Sequence, residues 1–159
     1  IRAKYLIHLT RNIFLPNQYK SIVLNLYIMT TSSIISKAFN KHLFEFIDQV
    51  IKVFPEKTEV VTSRDYLDTL KKSNPTIIIK VWKTSINDPY KQYIDEENID
   101  FFLNKDYSDD FDNMPMGKDI AKVIDNSLRE PLRELDEANK KTFFQYFQLL
   151  ANLCEKYHT

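Results

Sequence analysis

Glycine occurs once in this 159-residue chain, at Gly117. That scarcity removes the glycine-rich phosphate loop, the dinucleotide fingerprint and the nucleophile elbow, each of which needs glycine where backbone turns sharply or approaches a ligand. Cysteine also occurs once, at Cys154, so no disulfide forms within the chain and a cysteine-stapled secreted scaffold is excluded. The apolar runs are a few residues long, far short of the roughly 20 that span a bilayer. Arginine is scarce after residue 28, where only Arg64, Arg129 and Arg133 occur and lysine carries the remaining positive charge.

What is abundant is apolar and helical in pattern. Hydrophobic residues make up 43% and charged residues 28%, the balance of an ordinary globular domain, and a chain of this length suits a single core. The formal charge of zero conceals an asymmetry. Residues 1–28 carry Arg2, Lys4, Arg11 and Lys20 with no acid, which leaves 18 basic against 22 acidic residues in 29–159. An acidic body disfavours a broad electrostatic footprint on nucleic acid. The abundance of Ile, Asn, Lys, Phe and Tyr points to an AT-rich genome.

The composition breaks at Met29, the first methionine, so 1–28 is read as a basic, apolar extension outside the native product and 29–159 as one helical domain. A genuine extension and a targeting segment are the alternatives. From Ser33, apolar Ile35, Phe39, Leu43, Phe46, Ile47, Val50, Ile51 and Phe54 recur at three and four, which predicts a helix closed by Pro55. Val60 and Val61 read as an extended link into a second helix that Thr62 caps, with Asp65 completing a capping box, running to about Lys72.

Asn74-Pro75 then supplies a cap and a first-turn proline ahead of Ile77-Ile78-Ile79-Lys80-Val81-Trp82, the densest apolar run and the site of the only tryptophan. Its isoleucines favour strand locally, but the cap and the helical neighbours predict a buried central helix. Asp88-Pro89 opens another short helix, Ile99, Phe102 and Leu103 a further turn, and Asp106 to Pro115 a long loop. Ile120, Val123, Ile124, Ser127, Leu128, Leu132 and Leu135 keep helical spacing through Pro131, which predicts a kink or break there. Asp136 caps a last helix striped by Phe143, Phe144, Phe147, Leu150, Ala151, Cys154 and Tyr157, with Tyr146, Leu149 and Leu153 widening the stripe. The fold class is therefore all-α, a single-domain helical bundle of about five or six helices with 77–82 at its centre.

Phe44-Glu45-Phe46-Ile47-Asp48, Phe54-Pro55, Ile78-Ile79-Lys80-Val81-Trp82, Pro89-Tyr90, Ile99-Asp100-Phe101-Phe102, Lys105-Asp106-Tyr107 and Arg129-Glu130-Pro131-Leu132-Arg133-Glu134 follow in an order that resembles a group of small uncharacterised proteins from giant nucleocytoplasmic DNA viruses of algae and protists. The resemblance covers about 44–155. It implies a viral origin and supplies neither an activity nor a site.

No group of residues has the spacing of a catalytic, cofactor or metal site. Cys154 and His158 share a helical face, but the other histidines, His8 and His42, are remote in sequence, and zinc usually takes four ligands. Asn104, Asp106, Ser108, Asp110 and Asp112 alternate like the first half of a calcium loop, yet Asp109 stands where glycine is required and Pro115 where a bidentate glutamate belongs. The candidate interaction site or structural clamp is Arg129, Glu130, Arg133 and Glu134, because a chain that defaults to lysine keeps two planar forks four residues apart. Carboxylates of the same chain are the expected partners; an outside protein or a phosphate are the alternatives. The chain is thus read as a non-enzymatic protein-interaction or structural module without a cofactor or a membrane span, acting inside the cell as a virion or accessory component. The alternative is a nucleic-acid-associated factor whose Lys37, Lys41, Lys52, Lys71, Lys72, Lys80 and Lys83 converge on one face.

Overall fold

The structure, a computed structural model, describes residues 17–107 and 129–159. Among these residues there is no strand. The helices are α1 (Asn17–Val53), α2 (Thr58–Ser73), α3 (Ile77–Trp82), α4 (Asp88–Asp95), α5 (Ile99–Asn104), α6 (Glu130–Glu134) and α7 (Glu137–His158), with a π-helical turn, Lys83–Asn87, joining α3 to α4. The chain is all-α, as its apolar spacing predicts.

It divides into two compact units, 1–34 and 35–159. In the first, the described part is the N-terminal half of α1, where Ile22, Leu24, Leu26, Ile28, Met29 and Ile34 are all exposed. Helix α1 passes through Met29 without a break, beginning well before the Ser33 start expected from spacing. No described helix is long and apolar enough to cross a membrane. The chain beginning at Met29 keeps all of 35–159, so expression of 29–159 is expected to match the full chain in thermal unfolding to within about two degrees. A fall of several degrees would make the extension part of the folded protein.

In the second unit the core follows the predicted stripes. Phe39, Leu43, Phe46, Ile47 and Val50 are buried on α1, and Phe143, Phe144, Phe147, Leu150, Ala151 and Cys154 on α7. Between them α3 buries Ile78, Ile79 and Trp82. The indole meets Phe39 edge-on at 5.6 Å and Phe147 at 5.1 Å, so one residue of α3 joins the two long helices. Asn40 on α1 donates to the Pro75 carbonyl at 2.7 Å and fixes the entry to α3. The Asn74 side chain accepts from the Thr76 amide at 3.1 Å, an Asx turn that starts the helix two residues later than a simple cap would. Because Ser85, Ile86 and Asn87 in the wide turn are buried in succession, this rod is covered on several sides, as a central element must be.

Two local expectations fail. Val60 and Val61 are not an extended link: α2 already begins at Thr58, and Val60 is fully buried within it. Thr62 caps nothing, its hydroxyl donating to the Thr58 carbonyl at 3.1 Å. The turn after Pro55 is short enough to let the helix restart at once, and burial of Val60 outweighs the weaker helix propensity of β-branched residues. Pro131 lies buried in the first turn of α6, where its missing N–H is no loss; the residues before Arg129 that the expected kink concerns lie outside the described ones. The break falls at Leu135 and Asp136, and Asp136 caps α7 as predicted, accepting from the Asn139 amide at 2.8 Å. Residues 108–128, and with them Ser108, Asp110, Asp112, Gly117 and the stripe from Ile120 to Leu128, lie outside the described residues.

Candidate functional site

The arginine pair is brought together with the end of α5. That helix has only six residues and stops because Lys105 is extended (φ −69°, ψ 135°), so its last carbonyls lack the amides a longer helix would provide. Arg129 Nη1 donates to the Lys105 carbonyl at 2.6 Å, and Arg133 Nη2 to the Leu103 carbonyl at 2.5 Å. The Arg129 guanidinium also stands 5.8 Å from the Tyr107 ring centre. The two forks therefore fasten the chain on either side of 108–128.

Carboxylates are the expected partners, and main-chain carbonyls join them: Arg133 also meets Glu130 at 3.2 Å, both side chains of that pair being nearly half exposed. Glu134 turns instead to Lys57 at 2.7 Å, tying α6 to the start of α2. The end of a helix carries orphan acceptors and partial negative charge, which suits a guanidinium at the Leu103 carbonyl.

Cys154 and His158 lie near each other but form no reactive pair. The Cys154 thiol is wholly buried, 3.6 Å from the Ile79 carbonyl to which it donates, and 3.9 Å from His158 Nδ1. That nitrogen donates to the Cys154 carbonyl at 2.8 Å, which leaves it no lone pair for a thiol proton. Burial pushes the thiol up to about 12, far from the thiolate range that gives reactivity. Iodoacetamide at pH 8 is expected to leave Cys154 unlabelled in the folded chain and to label it fully in denaturant; rapid labelling of the folded chain would contradict this burial. Among the described residues, no three metal-binding side chains gather.

Four of the seven lysines named as a nucleic-acid face meet three carboxylates. Lys41 meets Glu45 at 3.7 Å, Lys71 and Lys72 both meet Asp68 at 2.7 Å, and Lys83 pairs with Asp88. Lys71 also stands 4.0 Å from the centre of the Phe44 ring. Exposed Lys37, Lys52 and Lys80 remain without a carboxylate among the described residues. Hydrogen bonds from Lys71 and then Lys72 hold the Asp68 carboxyl down at about 2. Its folded value lies below the ordinary one of about 3.9, so its stabilisation is present above pH 4 and lost as pH falls toward 2. Parent and Asp68→Asn proteins are accordingly expected to differ in thermal stability at pH 6 and to converge near pH 2. A difference that persists at pH 2 would point to another cause.

The feature that sequence reading missed is a cleft of about 230 Å3 between the C-terminal end of α1 and the first half of α7. Phe46, Gln49, Val50 and Val53 recur at three and four on α1, and Asn139, Thr142, Phe143 and Tyr146 do so on α7, so two helical rows face one another. Phe54 and Leu135 complete the lining, in which there is no ionisable acid or base of the carboxylate, ammonium or guanidinium type. Val53 is 56% exposed. The hint in the sequence is the surplus width of the α7 stripe at Tyr146, which a single neighbour does not cover. Comparison with known protein families, curated proteins and solved structures found no match.

Proposed function

We propose that the chain is a non-enzymatic protein-interaction module, a structural or accessory component in the viral setting that the sequence resemblance implies, acting inside the cell. The observation that carries this reading is the cleft between α1 and α7, a recess lined by apolar and uncharged polar side chains with Val53 exposed in its wall. Recesses of this kind seat the buried anchor residues that dominate protein–protein affinity. The pairing of Lys41, Lys71, Lys72 and Lys83 with carboxylates weighs against a nucleic-acid face. Residue-specific photo-crosslinking tests it, with the crosslinker at Val53 and, as a control, at exposed Thr69 on α2, in infected cells or purified particles. A protein adduct at Val53 that Thr69 does not give, and that Thr142→Trp abolishes by filling the cleft, is expected. Near-micromolar, salt-dependent binding to DNA or RNA with no Val53 adduct would contradict the proposal.

A further inference from the structure

We infer that segment 22–29 of α1 enters one leaflet of an anionic lipid surface, with the basic residues around it set against the headgroups. The inference stands apart from the cleft, and it counts the residues before Met29 as part of the protein.

Exposure on two sides of one helix is the first argument. At about 100° per residue, Ile22, Leu26 and Met29 stand on one side of α1 and Leu24 and Ile28 on the other. Leu26 and Met29 are 60% and 70% exposed, and Leu24 and Ile28 are 47% and 52% exposed. A groove on a protein, or the flank of a second copy, covers one side of a helix and leaves the other in water. A helix that is apolar all round needs apolar surroundings on every side, and lipid provides them.

Length is the second argument. Residues 22–29 carry no charge and a single amide side chain, Asn25. Eight helical residues measure about 12 Å, short of the roughly 15 Å of one half of the hydrocarbon core. The segment therefore fits within one leaflet, in keeping with the absence of a described helix able to cross a membrane. The next side chain, Thr30, donates its hydroxyl to the Leu26 carbonyl at 2.8 Å, so it can approach the acyl chains already hydrogen-bonded.

Charge selects the lipid. No acid precedes Glu45, whereas Arg2, Lys4, Arg11, Lys20 and Lys37 all stand before it. Two copies meeting along this stretch would bring like charges together. Anionic headgroups bring the opposite charge, and each Lys or Arg near them adds to the attraction. Nucleic acid offers that charge without an apolar medium for the segment.

Flotation of the full chain with lipid vesicles tests this, using phosphatidylcholine alone and phosphatidylcholine with about 30% phosphatidylserine. The chain is expected to bind the anionic vesicles at least about tenfold more tightly than the neutral ones, an advantage that shrinks as salt screens the headgroups. The 29–159 chain, in which acids outnumber bases, should stay unbound. Leu24→Glu and Leu26→Glu, on opposite sides, should each weaken binding at least about tenfold. Both should leave circular dichroism and thermal unfolding unchanged, because the side chains they replace are exposed. Loss with only one of the two would reveal a one-sided partner and overturn the inference. So would equal binding to both kinds of vesicle, binding to neither, or a dimer in sedimentation that Leu26→Glu dissociates. The native product, digested and read by mass spectrometry, should also yield peptides from upstream of Met29; a product confined to 29–159 would overturn the inference.

Discussion

Trp82→Ala is expected to lower the stability of the 35–159 unit by about 3–5 kcal/mol, the range for truncating a large buried aromatic. The indole is 5% exposed and packs against both the Phe39 and Phe147 rings, so its removal opens a cavity where α1, α3 and α7 meet. Against a typical total of about 5–15 kcal/mol, the loss would leave the unit marginal. Trp82→Phe should cost far less. It keeps a ring between the two partners, and it removes a buried indole N–H that has no hydrogen-bond partner, a group whose desolvation costs about 1–3 kcal/mol. Urea unfolding followed by circular dichroism measures both variants. A loss below about 1 kcal/mol for Trp82→Ala would mean the helices do not depend on this contact.

The second large effect is expected at the arginines. Replacing Arg129 and Arg133 together with lysine keeps the charge but removes the planar forks that reach the Lys105 and Leu103 carbonyls. Hydrogen bonds to charged donors contribute about 1.5–3 kcal/mol when protected from water. Arg133 is nearly half exposed and contributes less, so about 2–3 kcal/mol is expected for the pair, most of it from Arg129. Hydrogen exchange should quicken first in α5 and α6, the two elements the arginines join. Full stability in the double lysine variant, with loss of a crosslinked partner, would instead make the forks a contact site.

How much of this was legible depends on whether the deciding force is local. The stripes of α1 and α7 could be read because one helical face meets one core, and each buried position repeats at three or four. The helix over the three isoleucines was legible from the Asn74-Pro75 signal and the helical neighbours, but its start was misplaced: α3 begins at Ile77, after an Asx turn in which Asn74 accepts from the Thr76 amide. The α2 boundary was missed because Val60 is held in helix by burial, which the Thr62-Asp65 pattern cannot report. The arginines were singled out for a sound reason, the fork, but the Lys105 and Leu103 carbonyls they also reach leave no mark in a sequence. The cleft was invisible for a related reason. It is the space left between two rows whose members, Val50 and Phe143 among them, look like plain core when each helix is read alone.

The most direct test of the account's centre, a buried α3 on which the long helices pack, is the fluorescence of Trp82, the chain's only tryptophan. The account predicts blue-shifted emission that acrylamide quenches poorly, with red-shift and ready quenching appearing together in the unfolding transition. Emission of the native chain already at the position of the unfolded chain, with equal quenching, would contradict it.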